Sequence, residues 1–276
     1  MKTISARPGI RQRARQAEHE QHFYLRMLQA SSYPNIRWLD AGCGHTLIQS
    51  WLRDSAHIER EFLSQAAILV GADADWKSLV RDSPIRRVAC DLESLAFPNS
   101  YFDLITCNMV VEHLKQPSLV FAEFFRVLRS GGKVLILTPN VYHWVNAVSR
   151  FTPYSLHKAI NRVLLGVDPD DVFPTLYRCN SESSLRSSLK RTGFSTVAIH
   201  NLPGRPRLVN LGPLFYPEYL FYRLSLRFSQ LREVLCAVAE KPIFQDPGAG
   251  RRDPSRPAQR NHPEIDTPTD QSIRMN

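Results

Sequence analysis

The chain has 276 residues, 43% hydrophobic and 22% charged, the balance of a soluble globular protein long enough to bury one substantial core. No apolar run is long enough to cross a bilayer and the first residues lack the apolar stretch of a secretory signal, so a cytoplasmic protein is expected. The net charge of +9 does not single out a nucleic-acid partner, because much of it sits at the ends: Lys2, Arg7, Arg11, Arg13 and Arg15 precede the first acid, Glu18, while Arg251, Arg252, Arg256 and Arg260 lie in a proline-rich tail.

Residues 1–33 read as a basic arm running into a helix whose Phe23, Met27 and Leu28 can pack on a domain. From about residue 34, apolar segments alternate with amphipathic ones. Strands are expected over 36–40, 67–72 and 86–90, with helices over 47–62 and 76–81 between them. The rhythm continues with a strand over 102–107, a helix over 118–128 and a strand over 133–138. In that helix Val120, Phe124, Val127 and Leu128 share a face, and Gly131-Gly132 is expected to close it with a left-handed cap. Short apolar strands separated by helices imply an α/β fold, a doubly wound parallel sheet covered on both faces.

Past Asn140 the pattern loosens into an aromatic, proline-punctuated stretch over about 141–178, long for a connection and expected to be a substrate-side insertion. A helix over 181–192 ended by Gly193, a strand over 195–200 and a strand over 234–240 follow. An aromatic segment at about 208–230 separates the last two strands. Residues 246–276 are too poor in apolar side chains to build a core and are expected to be a disordered tail. The division is therefore an arm over 1–33, a domain over 34–245 and a tail. The five cysteines, Cys43, Cys90, Cys107, Cys179 and Cys236, form no close pair of metal or redox spacing and are expected to be reduced; no metal is expected.

The chemistry begins at Trp38-Leu39-Asp40-Ala41-Gly42-Cys43-Gly44-His45-Thr46, a buried strand running into a glycine turn. Gly42 and Gly44 let main chain approach a ligand closely, while the carboxylate of Asp40 argues against a pyrophosphate and for a cationic group. Asp73 and Asp91 fall at the ends of the next two expected strands. In a doubly wound sheet these ends line one crevice, where Asp73 can accept from a ribose diol and Asp91 from an exocyclic amine. The three acids together describe a pocket for an adenosine bearing a positive charge.

These residues, with Gly71-Ala72-Asp73, Cys90-Asp91-Leu92, Phe97-Pro98 before Phe102-Asp103-Leu104-Ile105, Glu112-His113-Leu114 and Leu128-Arg129-Ser130-Gly131-Gly132, make the chain resemble a class I S-adenosylmethionine-dependent methyltransferase. The resemblance is to the large small-molecule (type 11) group that includes quinone-biosynthesis enzymes, and it covers roughly residues 36–139. It implies a Rossmann-like seven-stranded sheet with its last strand antiparallel, and S-adenosylmethionine as cofactor. It also implies that Asp40, Gly42 and Gly44 hold the methionine end, Asp73 the ribose and Asp91 with Leu92 the adenine, and that Asn108 closes the pocket. Thr46 stands where many relatives carry a third glycine; its branched side chain can narrow the turn, and it can also cap the following helix. Met109 stands where some quinone O-methyltransferases carry a glutamate thought to help bind magnesium, so the Glu112-His113 pair alone does not favour a metal.

Methyl transfer relies mainly on positioning, and a hydroxyl acceptor also needs a base. His113 is the leading candidate, with Tyr177 and Arg178 to orient an acceptor oxygen or carboxylate and His143 and Trp144 at the opposite rim. The expected activity is methyl transfer to an oxygen of a small molecule or a glycan or lipid precursor. The rival readings are a non-catalytic cofactor-binding protein, an RNA methyltransferase and a dinucleotide oxidoreductase. The aromatics of 211–227 fit a covering helix or subunit contact; the sharper alternative is a peripheral membrane contact in which Arg223 and Arg227 meet lipid headgroups.

Overall fold

The computed structural model describes residues 19–75, 85–151 and 174–243, all within one compact unit, Met1–Ile243. The basic arm through Glu18, the helix expected over 76–81, residues 152–173 of the expected insertion and the tail from 246 lie outside the described residues.

The apolar runs form seven strands: β1 (Ile36–Ala41), β2 (Ala66–Asp73), β3 (Arg86–Ala89), β4 (Phe102–Asn108), β5 (Leu128–Pro139), β6 (Thr196–Leu202) and β7 (Val234–Glu240). The helices are α1 (Glu20–Ser31), α2 (Ser55–Gln65), α3 (Pro117–Val127), α4 (Trp144–Phe151), α5 (Glu182–Thr192) and α6 (Phe215–Arg227). The strand order is β3-β2-β1-β4-β5-β7-β6. Pairs from β3 across to β5 are parallel, whereas β7 runs antiparallel to both neighbours. This is the expected seven-stranded doubly wound sheet with a reversed last strand.

Alternation along the central strands divides the core in two. Leu39, Ala41, Ile105, Cys107, Val134 and Ile136 share one cluster with Val120 and Phe124 of α3 and with Leu185 and Leu189 of α5. Trp38, Leu104, Leu135 and Leu137 share the other with Tyr24 and Leu28 of α1 and with Phe62 of α2. The fully buried Trp38 stands edge-on to Phe62 at 5.3 Å, and its indole N–H donates to Thr106 Oγ1 at 2.7 Å. Capping is explicit at α5: Ser181 and Ser184 form a reciprocal capping box, and Gly193, at φ +112°, ends the helix as expected.

Three local expectations are corrected. The helix expected over 47–62 begins only at Ser55, after Asp54 in the left-handed region. Leu47, Ile48 and Leu52 are buried, but on irregular chain, because their spacing follows the core they enter rather than a helix. Thr46 therefore caps no helix. Gly131-Gly132 does not close α3, which ends at Val127 and passes directly into β5. The pair serves a bulge instead: the β4–β5 register jumps from Phe102 opposite Leu128 to Leu104 opposite Lys133. Gly131 takes φ +76° there, and a Cβ on Gly132 would lie 2.9 Å from the Arg129 carbonyl oxygen.

The parallel strands deliver Ala41, Asp73, Asn108 and Pro139 to one edge of the sheet. Because β7 is reversed, its first residue, Val234, arrives at that edge opposite both Pro139 and Leu202.

Candidate active site

The order reverses between β1 and β4, the point where a doubly wound sheet opens a crevice. The glycine turn sits there. Gly42 and Gly44 take φ +73° and +48°, and the amides of Gly42 and Cys43 both reach the Ala72 carbonyl, at 2.7 and 3.3 Å, so the turn is tied to β2. Each small residue has a steric reason. A Cβ on Gly42 would run into the Val110 side chain, and one on Gly71 would lie 2.7 Å from Cys43 Sγ. At Gly44 a Cβ would meet nothing within 4 Å, so the backbone here borders open space that a side chain would occupy.

Two carboxylates bracket this turn. Asp73 Oδ2 accepts from the Gly44 amide at 2.9 Å and Asp73 Oδ1 from the Asp75 amide at 2.9 Å. Asp40 is buried, with Oδ1 accepting from Thr106 Oγ1 at 2.7 Å. Burial pushes its pKa up to about 7, over the opposing effect of the Thr106 bond, with the charge of Asp73 adding to the rise. Asp91 lies just past β3 and is exposed, accepting from the Glu93 amide at 2.9 Å, whereas its neighbour Leu92 is buried.

Asn108, the last residue of β4, exchanges side-chain amide bonds with Gln21 of α1, at 3.2 and 3.1 Å. Gln21 escaped the sequence reading. It occupies one buried stripe with Tyr24 and Leu28, and a polar residue at that spacing was the available signal.

His113 and Tyr177 are brought together. The turn Val111–His113 runs beside 174–177, with the amides of Leu176 and Tyr177 donating to the Glu112 carbonyl at 2.7 and 3.1 Å and His113 Nδ1 standing 2.9 Å from the Pro174 carbonyl oxygen. Tyr177 is buried at φ +48°, while Arg178 is exposed. Glu112 is buried, with Oε2 accepting from Thr138 Oγ1 at 2.9 Å and Oε1 3.8 Å from His113 Nε2; Thr138 in turn accepts from Asn180 at 2.7 Å. Burial raises the Glu112 carboxyl above its ordinary range and the nearby imidazole opposes that. Thr138 and Asn180 were not singled out in the sequence, since neither lies in a motif. Among the described residues no group of three or more His, Cys, Asp or Glu is arranged to hold a metal ion.

A second hollow opens where β5 and β7 meet the edge. His143, Trp144, Arg207, Phe221, Tyr222 and Glu233 line it. Glu233 pairs with Arg207, and burial still pushes its carboxyl up to about 7. His143 is buried with its ring 5.3 Å from Phe221, and burial, with the Arg207 charge, lowers its pKa to about 4, which keeps it neutral. Of this group the sequence pointed only to His143, Trp144 and the aromatics.

Comparison with known proteins bears on the domain and the fold. Residues 39–136 match the family model described as a methyltransferase domain. The ubiquinone/menaquinone biosynthesis C-methyltransferase UbiE of Vibrio vulnificus (strain YJ016) is 26% identical over 185 residues, 62% of this chain and 68% of that protein. The malonyl-(acyl-carrier protein) O-methyltransferase of Erwinia billingiae (strain Eb661) is 29% identical over 158 residues, 53% of this chain and 59% of that protein. Among solved structures, an S-adenosylmethionine-dependent methyltransferase from Archaeoglobus fulgidus superposes with a TM-score of 0.52 at 16% identity, covering 80% of this chain and 93% of that one, which shows the shared fold. Residues 39–136 thus carry a methyltransferase domain, set in a fold that S-adenosylmethionine-dependent methyltransferases share.

Proposed function

We propose that the domain over 34–245 transfers a methyl group to an oxygen of a small molecule or of a glycan or lipid precursor. The observation that carries the cofactor half is the open backbone at Gly44 between two carboxylates, because a side chain there would fill the space an adenosyl-methionyl group needs. In this reading Asp40, Gly42 and Gly44 hold the cationic methionine end and Asp73 the ribose diol. Leu92 forms a buried wall against the adenine, with the exposed Asp91 reaching its amine. Asn108, fixed by Gln21, closes the pocket. When bound, S-adenosylmethionine supplies a methyl group already activated by its sulfonium charge; the protein's task is alignment and proton removal.

His113 is suited to the second task. A carbonyl oxygen can only accept, so the bond to Pro174 requires the proton on Nδ1 and makes Nε2 the basic nitrogen of the neutral ring. The buried Glu112 carboxylate near Nε2 steadies the imidazolium that results. Tyr177, and Arg178 outside it, are proposed to orient the acceptor. A second reading of the target atom, a carbon beside an acidic hydroxyl, is favoured by the C-methyltransferase relatives and needs the same proton removal.

The test is incubation with methyl-labelled cofactor and cell extract, with product identification by carbon NMR, which separates an O-methyl from a C-methyl carbon. His113→Ala is expected to lower kcat on the identified acceptor by about 10²–10⁴-fold with cofactor affinity unchanged. Unaltered turnover would remove His113 from the mechanism.

The displaced pKa of Asp40 gives a pH signature. In the free protein, a folded-state value raised to about 7 means that stability is greatest with Asp40 protonated and declines as pH rises from the ordinary carboxylate range through 7. Binding a cation requires the charged form, so cofactor affinity is expected to fall roughly tenfold per pH unit below that value and to level off above it. Calorimetry in two buffers at about pH 6 should show proton release. Asp40→Asn should flatten the profile; a profile unchanged in that variant would assign the titration to another group.

A further inference from the structure

We propose that the outward face of α6 and the turn before it is a seat for an anionic lipid surface. The claim deepens the acceptor class proposed above and rests on that reading only for what is methylated, not for the contact itself.

The inner side of α6 is fully committed to the protein. Phe215, Glu218 and Ser225 are buried, and Glu218 accepts from the backbone amides of Arg207 and Leu208 at 2.8 and 2.7 Å. The Arg232 guanidinium donates to the carbonyls of Ser225, Leu226 and Asn201, clasping the far end of the helix to the strand edge. These bonds fix which face looks outward, and that face is apolar. Leu214, Tyr216 and Leu220 are 58%, 61% and 62% exposed, with Leu211, Leu224 and Phe228 also in solvent. Tyr216, Leu220 and Leu224 follow one another at four-residue spacing, a continuous stripe along the helix. No packing of the described residues requires it, and a run of exposed leucines is costly unless something covers it.

Charge selects the occupant. Arg223 and Arg227 are exposed, at three-residue spacing from Leu220 and Leu224, so they flank the apolar stripe. The one carboxylate of residues 211–228, Glu218, is turned inward and engaged with backbone. An apolar stripe flanked by guanidinium groups with no outward acid matches a leaflet of acyl chains beneath anionic headgroups. Two copies paired through this face would set arginines against arginines. The position also gives the contact a use: Phe221 and Tyr222, on the inner side of the same helix, line the hollow with His143 and Glu233 at the functional edge of the sheet. A bilayer against the outer face would lie about one helix diameter, roughly 10 Å, from that hollow, within reach of the polar head of a membrane-held acceptor.

Flotation of the full chain with phosphatidylcholine vesicles, with and without phosphatidylglycerol, tests the proposal. Binding is expected to the anionic vesicles at low salt and to weaken as salt is raised. Arg223→Ser with Arg227→Ser should weaken it by roughly 30-fold, and Leu220→Ser with Leu224→Ser by on the order of tenfold or more. S-adenosylmethionine affinity, measured by calorimetry, should be unchanged in both variants, which also shows that they fold and keeps failure of the lipid contact distinct from failure of the methyltransferase assignment. Absence of the wild-type chain from anionic vesicles at low salt would overturn the proposal. So would sedimentation showing a dimer that the leucine variant dissociates, which would give the face to a second copy.

Discussion

Gly42→Ala is expected to weaken S-adenosylmethionine binding by about 10²–10³-fold. Two costs combine. An L-residue at φ +73° pays roughly 1–2 kcal/mol for the left-handed region, and the new Cβ has to displace Val110, an overpacking worth about 1–3 kcal/mol. Both fall on the turn that borders the proposed cofactor space, and the φ cost is relieved only by moving the Gly42–Gly44 backbone away from the Ala72 carbonyl that anchors it. Calorimetry against the cofactor reads the loss, and thermal melting shows whether the rest of the sheet persists. A second variant divides the two costs: adding Val110→Ala to Gly42→Ala removes the collision but not the φ requirement, and should restore part of the affinity. Gly42→Ala binding within about threefold of wild type would mean that this turn does not hold the cofactor.

Asp73→Ala is expected to lose cofactor affinity by about 10²–10³-fold as well, for a different reason. Charge-assisted bonds to two ribose hydroxyls are each worth about 1.5–3 kcal/mol, and the same carboxylate holds the amides of Gly44 and Asp75. Removing it takes away a ligand contact and a brace for the glycine turn together. Asp73→Asn keeps an oxygen for Gly44 but loses the charge, and should fall between, at about tenfold. Adenosine affinity follows the ribose contact alone. If Asp73→Ala bound S-adenosylmethionine normally, the ribose assignment would fail while that of the glycine turn stood.

Much of the sheet was legible because central strands of a parallel sheet are covered on both faces and so appear as near-continuous apolar runs. Trp38–Ala41 and Phe102–Cys107 are mainly apolar and buried throughout, interrupted only by Asp40, Asp103 and Thr106. The acids at the strand ends were legible because a carboxylate at the end of a mainly apolar run stands out from it, whether it is buried, as Asp40 is, or exposed, as Asp91 is. Segments whose conformation is set by distant partners were not. Leu47, Ile48 and Leu52 carry a helical spacing yet enter the core as irregular chain, and the glycine pair at 131–132 answers to a β4–β5 register jump that no local pattern records. Gln21 meets Asn108, and Thr138 meets both Glu112 and Asn180, across gaps in sequence that only the folded topology closes. Arg207 and Glu233 pair in the same way, from opposite sides of α6.

The reversal of β7 has an evolutionary consequence. A parallel seventh strand would deliver only its exit to the functional edge; the antiparallel one delivers its entrance, so the exits of β5 and β6 and the start of β7 converge there. The start of the segment after Pro139, at 143–145, and the segment between Leu202 and Val234 both border the half of the crevice away from the glycine turn. With the donor at the glycine turn, as proposed, one half of the molecule can stay fixed while the other is rewritten by insertion and substitution, and a new acceptor can be acquired without reopening the question of how the donor is held.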